Sequence, residues 1–180
     1  MPSAKPLFGN MNNDESKGFR NVVALGLVSF FTDASTEMCL SMLPMFFIYH
    51  LGGTKAFLGL MEGIAEGMSN ILRVFSGALS DRFRRRKPLI LAGYAISNLL
   101  KPWFSAARTW VDAVAIRVGD RVGKGVRTAP RDALLSESVS GKVVGRAFGI
   151  HRTLDQAGAI VGPALAFLLL PFFKARGVFL

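Results

Sequence analysis

Long apolar stretches alternate with short basic clusters along this chain. Each stretch approaches or exceeds the roughly 20 residues that a helix needs to cross a bilayer. Because backbone amides must find hydrogen-bond partners inside lipid, every stretch is predicted to be helical. The five predicted spans are residues 22–49, 56–80, 88–107, 110–126 and 154–173. Together they predict an all-α polytopic transmembrane bundle that contacts the lipid bilayer.

The composition agrees with a membrane protein. Apolar residues make up 51% of the 180 residues, and they lie in runs rather than being interleaved with polar ones as in soluble domains. Residues 1–20 are polar and lack the apolar core of a secretory signal, so they are predicted to form a cytoplasmic tail before a bundle over residues 21–180. One cysteine and two histidines offer no disulfide framework or zinc cluster, so no cofactor or metal is expected.

The formal charge of +10 raises nucleic acid as a partner, but the distribution of the charge argues against it. Basic residues concentrate in the links that follow spans two and four, which is the pattern of the positive-inside rule. The chain is therefore predicted to lie in the plasma (inner) membrane with a cytoplasmic N-terminus. The basic residues of these links are Arg82, Arg84, Arg85, Arg86, Lys87, Lys124, Arg127, Arg131, Lys142, Arg146 and Arg152.

Ionisable residues inside the predicted spans are candidates for a proton or substrate site. Asp33 and Glu37 are four residues apart and so share one face of span one. A charge at mid-bilayer costs about 2.5–3.5 kcal/mol, so both should face a cavity or a partner. On span two, Glu66 and Arg73 lie deep in the membrane, and Arg73 is the expected counter-ion for Asp33 or Glu37. The sequence leaves open whether such a pair is passive or exchanges protons.

Small residues recur at helical spacing on two spans. Glycine at every fourth position lets a neighbouring helix approach closely, and an internal proline kinks a helix or weakens its hydrogen bonding. The expected helix-packing residues are Gly59, Gly63 and Gly67 on span two, and Gly158, Gly162 and Pro163 on span five.

The link between spans two and three reads GALSDRFRRRKP from Gly77 to Pro88. It resembles the signature loop of the major facilitator superfamily of secondary transporters, G-x-L-(A/S)-D-R-x-G-R-R. The matching residues are Gly77, Leu79, Asp81, Arg82, Arg85 and Arg86. Arg84 stands where the family has glycine, so a positive φ at this position would strain the turn.

Three further segments are similar to parts of that family. Residues 117–125 resemble its second motif, R-x-x-x-G-x-G, with either Arg117 or Arg121 as the first residue. Residues 158–163 resemble the G-x-x-x-G-P element of the fifth helix in proton-coupled antiporters. Residues 127–134 are similar to a bacterial branch of the superfamily.

The resemblance implies a twelve-helix fold built from two halves, of which this chain is five-sixths of the first. It implies alternating-access transport of a small solute, coupled to H⁺, with efflux or antiport favoured and with a missing C-terminal half as partner. It also implies that Arg117 takes part in proton coupling and that Asp81 latches the outward-open state against the other half.

The sequence leaves one main alternative to transport and disfavours another. A chain that ends after five spans is expected to be a truncated product or a fragment, so an inactive fragment, or a non-transporting subunit that needs a partner half, is the main alternative. An enzyme is not expected, because the chain lacks a Ser-His-Asp set, a P-loop and a glycine-rich nucleotide turn.

Overall fold

A computed structural model describes residues 13–172, which fold into five α-helices without a β-strand in that range. Short 3₁₀ turns at Lys101–Ala106 and Gly141–Val143 precede the last two helices. The prediction of an all-α bundle is thus confirmed. The helices are α1 (Asn13–Tyr49), α2 (Lys55–Phe83), α3 (Arg86–Leu100), α4 (Trp110–Glu137) and α5 (Val144–Leu169).

The helices differ from the predicted spans mainly at the ends next to the polar tail and the basic links. Helix α1 begins at Asn13, inside the predicted tail, while residues 1–12 lie outside the described range. Helix α4 continues past residue 126, through the buried Pro130, and α5 begins at Val144 rather than near residue 154. The predicted spans end where charged residues begin. The helices themselves continue, because charged residues can be part of a buried helix when they have partners inside the bundle. Phe173, the predicted end of span five, is outside the described residues.

Helices α1 and α5 lie side by side and run parallel. A Cβ atom added at Gly158 would overlap the carbonyl oxygen of Phe30, and one added at Gly162 would overlap that of Ala34. The two backbones therefore touch because these positions carry no side chain. Pro163 follows Gly162 within α5.

Helix α2 packs parallel to α4, but not through the glycines expected to do so. A Cβ added at Gly125 of α4 would lie 2.6 Å from the carbonyl oxygen of Ser69, and the Ser76 hydroxyl donates to the Gly125 carbonyl at 3.1 Å. The expected packing glycines instead face open space among the described residues, with no atom within 4 Å of an added Cβ. The stripe of α2 that is buried among the described residues is a different one, with Met61, Ala65 and Ser69 as members. Close packing at the three glycines therefore stays a prediction. These three glycines are Gly59, Gly63 and Gly67.

Two apolar clusters lie at opposite ends of the bundle. The larger one joins α1, α2, α4 and the first 3₁₀ turn around Phe46, Phe47 and Met61. The smaller one consists of Val22, Leu135 and Ala147. Polar side chains occupy the layer between the two clusters.

The outer surface of the bundle is apolar. Large side chains on several helices are largely exposed, for example Val74 at 72%, Ile160 at 74% and Phe167 at 76%. By length and composition alone, Ser16–Tyr49 is the one stretch among residues 13–172 that passes as a membrane span. Helices α2 and α4 carry several charges each, which lower their mean hydropathy.

The hairpin between α2 and α3 contains a strained residue. Arg84 ends α2 with φ 50° and ψ 22°, and it is the only non-glycine residue with positive φ in the described part of the chain. The left-handed conformation costs an L-residue with a Cβ about 1–2 kcal/mol. The strain lies at the position where the family motif has glycine.

Replacing Arg84 with glycine should therefore stabilise the protein. We expect Arg84→Gly to raise the free energy of unfolding by up to about 1 kcal/mol, since glycine adopts this conformation without a steric penalty. Denaturant unfolding of the purified protein in detergent measures the change. Arg85→Gly is the matched control: Arg85 has φ −109°, so this variant should gain nothing. Equal effects of the two substitutions would contradict the strain.

Candidate functional site

A buried hydrogen-bonded cluster joins four of the five helices around Ser29. The Ser29 hydroxyl donates to Asp155 at 2.7 Å and accepts from the Arg131 Nη1 group at 3.0 Å and from the Tyr94 hydroxyl at 3.3 Å. Arg131 also lies 3.7 Å from the Asp155 carboxylate. One residue from each of α1, α3, α4 and α5 is thereby fixed in place.

Arg127 lies beside this cluster, one turn before Arg131 on α4. Its guanidinium carbon is 4.6 Å from the centre of the Tyr94 ring, and its Nη2 group is 3.7 Å from Asp33. The side chain is only 2% exposed. Its Nε and Nη1 groups have no hydrogen-bond partner among the residues described. Arg127 is therefore a buried cation whose hydrogen-bonding capacity is only partly used.

Two ion pairs connect α2 to the part of α4 that precedes Arg127. Arg117 donates to both oxygens of Glu62, at 2.9 and 2.7 Å, and lies 3.4 Å from Asp120. One turn later, Arg121 lies 3.5 Å from Glu66. Because both helices run in the same direction, equal steps of four residues keep the two pairs in register.

Several of these charged groups line a cavity of about 250 Å³, which we call the central chamber. Helices α1, α2, α4 and α5 each contribute to its wall. Its lining residues are Asp33, Glu66, Ser69, Asn70, Arg73, Lys124, Arg127, Thr128, Arg131, Arg152 and Asp155.

Three of the five candidate coupling residues line the central chamber, namely Asp33, Glu66 and Arg73. The expectation that Arg73 neutralises Asp33 or Glu37 is wrong within residues 13–172, where Asp33 pairs with Arg127 and Arg73 forms no ion pair. Glu37 and Arg117 are not part of the lining. Helical periodicity identified the inward faces, but it cannot tell which helix lies opposite a given face.

The signature hairpin forms an ionic link to the end of α4. Arg86 lies 3.4 Å from Asp81 and 2.7 Å from Glu137, and 68% of the Asp81 side chain is exposed. Gly77 brings α2 close to α4, because an added Cβ would lie 3.2 Å from the Ala129 side chain. Arg82 lies over the ring of Phe83 at 5.9 Å, and Arg85 immediately precedes the first residue of α3.

Sequence reasoning missed the residues that organise this site. The clustering of basic residues predicts that Arg127 and Arg131 lie in a cytoplasmic link, yet they are 2% and 4% exposed inside the bundle. Lys101 is also buried, donating to the Thr32 carbonyl at 2.9 Å, and His151 is 1% exposed. One signal in the sequence indicates that the helix continues. The charged residues of α4 recur every three to four residues, and this spacing extends past residue 126. The orientation prediction therefore depends mainly on the basic residues of the α2–α3 hairpin.

Comparison with known proteins identifies the family. Residues 25–180 match the sequence profile of the Major Facilitator Superfamily. The chain belongs to the Major Facilitator Superfamily. Members of this superfamily are multi-pass membrane proteins that transport small solutes, so the chain is part of a membrane protein.

The superfamily relatives are longer than this chain. It is 41% identical to an MFS-type transporter of Methanocaldococcus jannaschii over 163 residues, which are 91% of this chain and 40% of that protein. It is 37% identical to an uncharacterized protein of Mycobacterium tuberculosis over 81% of this chain and 35% of that protein. It is 27% identical to the multidrug resistance protein MdtH of Escherichia coli over 70% of this chain and 31% of that protein. The chain thus spans two-fifths or less of these curated relatives.

The two arginines that contact Asp155 should differ sharply in their contribution to stability. The side chain of Arg131 is 5% exposed, and that of Arg152 is 52% exposed. Breaking a buried pair costs about 3–5 kcal/mol, whereas an exposed pair contributes about 0–1 kcal/mol. We therefore expect Arg131→Gln to lower the free energy of unfolding by about 3–5 kcal/mol and Arg152→Gln by at most about 1 kcal/mol. Denaturant titration of the purified protein in detergent measures both changes. Similar losses for both variants would show that the Ser29 cluster does not hold the helices together.

Proposed function

We propose that the protein of which this chain is part is a secondary transporter that moves a small solute by alternating access. The transport is coupled to protons, and efflux by antiport is the favoured direction. The observation that carries the proposal is the central chamber, a polar cavity with ionisable groups from four helices in a member of a transporter superfamily. The name of the Escherichia coli relative, a multidrug resistance protein, supports efflux.

Asp33 is the proposed proton-binding residue. It lines the chamber, its side chain is 16% exposed, and its ion-pair partner Arg127 belongs to another helix. A helix movement that separates the two groups changes the affinity of the carboxylate for a proton. Relative motion of α1 and α4 would therefore couple helix movement to proton binding at Asp33.

Arg117 and the signature hairpin have supporting roles in this proposal. Arg117 links α2 to α4 through Glu62, so it transmits movement between these helices. The contacts of Arg86 with Asp81 and Glu137 connect the α2–α3 hairpin to the end of α4. Contacts of this kind bias a two-state equilibrium when they form in only one state. The orientation with the N-terminus and the hairpin in the cytoplasm, and location in the inner membrane, are part of the same proposal.

Removing the Asp33 carboxylate should abolish coupling while the protein still inserts into the membrane. The test uses the protein expressed from its complete gene, in everted vesicles with an imposed proton gradient and a panel of solutes. We expect wild-type vesicles to lose part of the gradient when a transported solute is added, and Asp33→Asn vesicles to keep it. Immunoblots of the membrane fraction measure insertion.

Glu37→Gln is the matched control, because Glu37 lies one turn away on α1 and outside the chamber lining. This variant should retain the gradient-coupled response. Unchanged transport by Asp33→Asn would remove Asp33 from the mechanism. If no solute in the panel discharges the gradient in wild-type vesicles, proton coupling itself is contradicted.

A further inference from the structure

The central chamber contains more positive than negative charge. Its wall carries five basic side chains, namely Arg73, Lys124, Arg127, Arg131 and Arg152, against the three carboxylates Asp33, Glu66 and Asp155. The excess of two positive charges is present when all eight groups are ionised. An excess of this kind in a low-dielectric cavity is unfavourable unless an anion offsets it.

Each chamber carboxylate already has a basic partner. Asp33 pairs with Arg127, Asp155 with Arg131 and Arg152, and Glu66 with Arg121, which stands outside the lining. The other two cations have no chamber carboxylate within ion-pair distance.

These two cations are Lys124 of α4 and Arg73 of α2. Neither forms an ion pair with any residue in the range 13–172. Both side chains line the chamber, and Lys124 is partly buried while Arg73 is exposed. Arg127, with two unpartnered donor groups, adds to the unused capacity of the same wall.

We propose that the central chamber binds small organic anions, with Lys124 and Arg73 as the groups that hold the carboxylate or phosphate of the solute. A guanidinium donates two parallel hydrogen bonds to such groups, and an ammonium adds a compact charge. The volume of about 250 Å³ lies just below the roughly 300–1,000 Å³ of sites for drug-sized ligands, so it fits a small solute. That this solute is also the transported one depends on the proposed function.

The test measures binding to the purified protein from the complete gene, reconstituted in uncharged nanodiscs at low salt. The probes are three four-carbon compounds of similar length (succinate, succinamide and 1,4-diaminobutane) together with inorganic phosphate. We expect succinate and phosphate to raise the unfolding temperature and to bind in calorimetry, with affinities that fall as salt increases. Succinamide and 1,4-diaminobutane should have no effect.

Two variants locate the site. Lys124→Gln and Arg73→Gln should each weaken succinate binding by about tenfold, since each removes a charge-assisted contact, and Lys124→Arg should retain it. Lys87→Gln is the matched control, because Lys87 belongs to the basic hairpin and lies outside the chamber lining. Circular dichroism and gel filtration verify that each variant is folded.

Several results would overturn the proposal. These are a stronger response to 1,4-diaminobutane than to succinate, no response to either anion, full binding by a folded Lys124→Gln variant, or a loss caused by Lys87→Gln. Failure of the proposed function gives a different pattern, namely anion binding in the chamber without solute movement in vesicles. Transport of a cationic solute would refute the anion site and leave the transport function standing.

Discussion

The need to pair buried charges on α4 governs the arrangement of this bundle. Removing one partner of a buried ion pair costs several kcal/mol, so each charge requires a group on an adjacent helix. Helix α2 supplies two glutamates, α1 supplies an aspartate and a serine, α3 supplies Ser97 and Tyr94, and α5 supplies Asp155. Helix α4 therefore lies where the other four helices can reach it. Its buried charged residues are Arg117, Asp120, Arg121, Arg127 and Arg131.

This pairing also explains why the polar layer lies between two apolar clusters. Apolar packing around Phe46 at one end and Val22 at the other encloses the charged groups, while the exposed outer surface remains apolar. The charged faces of the helices cannot turn outward into lipid at low cost, so they meet around the central chamber. The bundle thus combines a cavity with ionisable walls and an apolar exterior.

The sequence predicts the helical bundle and the strained hairpin, because both depend on local properties. Apolar run length identifies the helices, and the glycine position of the family motif identifies the left-handed turn at Arg84. The sequence does not predict which helices pack against each other. Gly63 and Gly158 have the same spacing pattern, yet only Gly158 faces another backbone. Likewise, the charge of Arg127 favoured a loop, whereas the partner that allows its burial, Asp33, lies far away in sequence.

A double-mutant cycle between Asp33 and Arg127 tests the central claim most directly, because these residues connect α1 to α4 beside the chamber. The free energies of unfolding of Asp33→Asn, Arg127→Gln and the double variant are compared with that of the parent protein. If the pair organises the bundle, the double variant loses less stability than the sum of the single losses, by about 0.5–3 kcal/mol. Purely additive losses would mean that the two groups do not interact, and the account of α4 as the charge-paired centre would be contradicted.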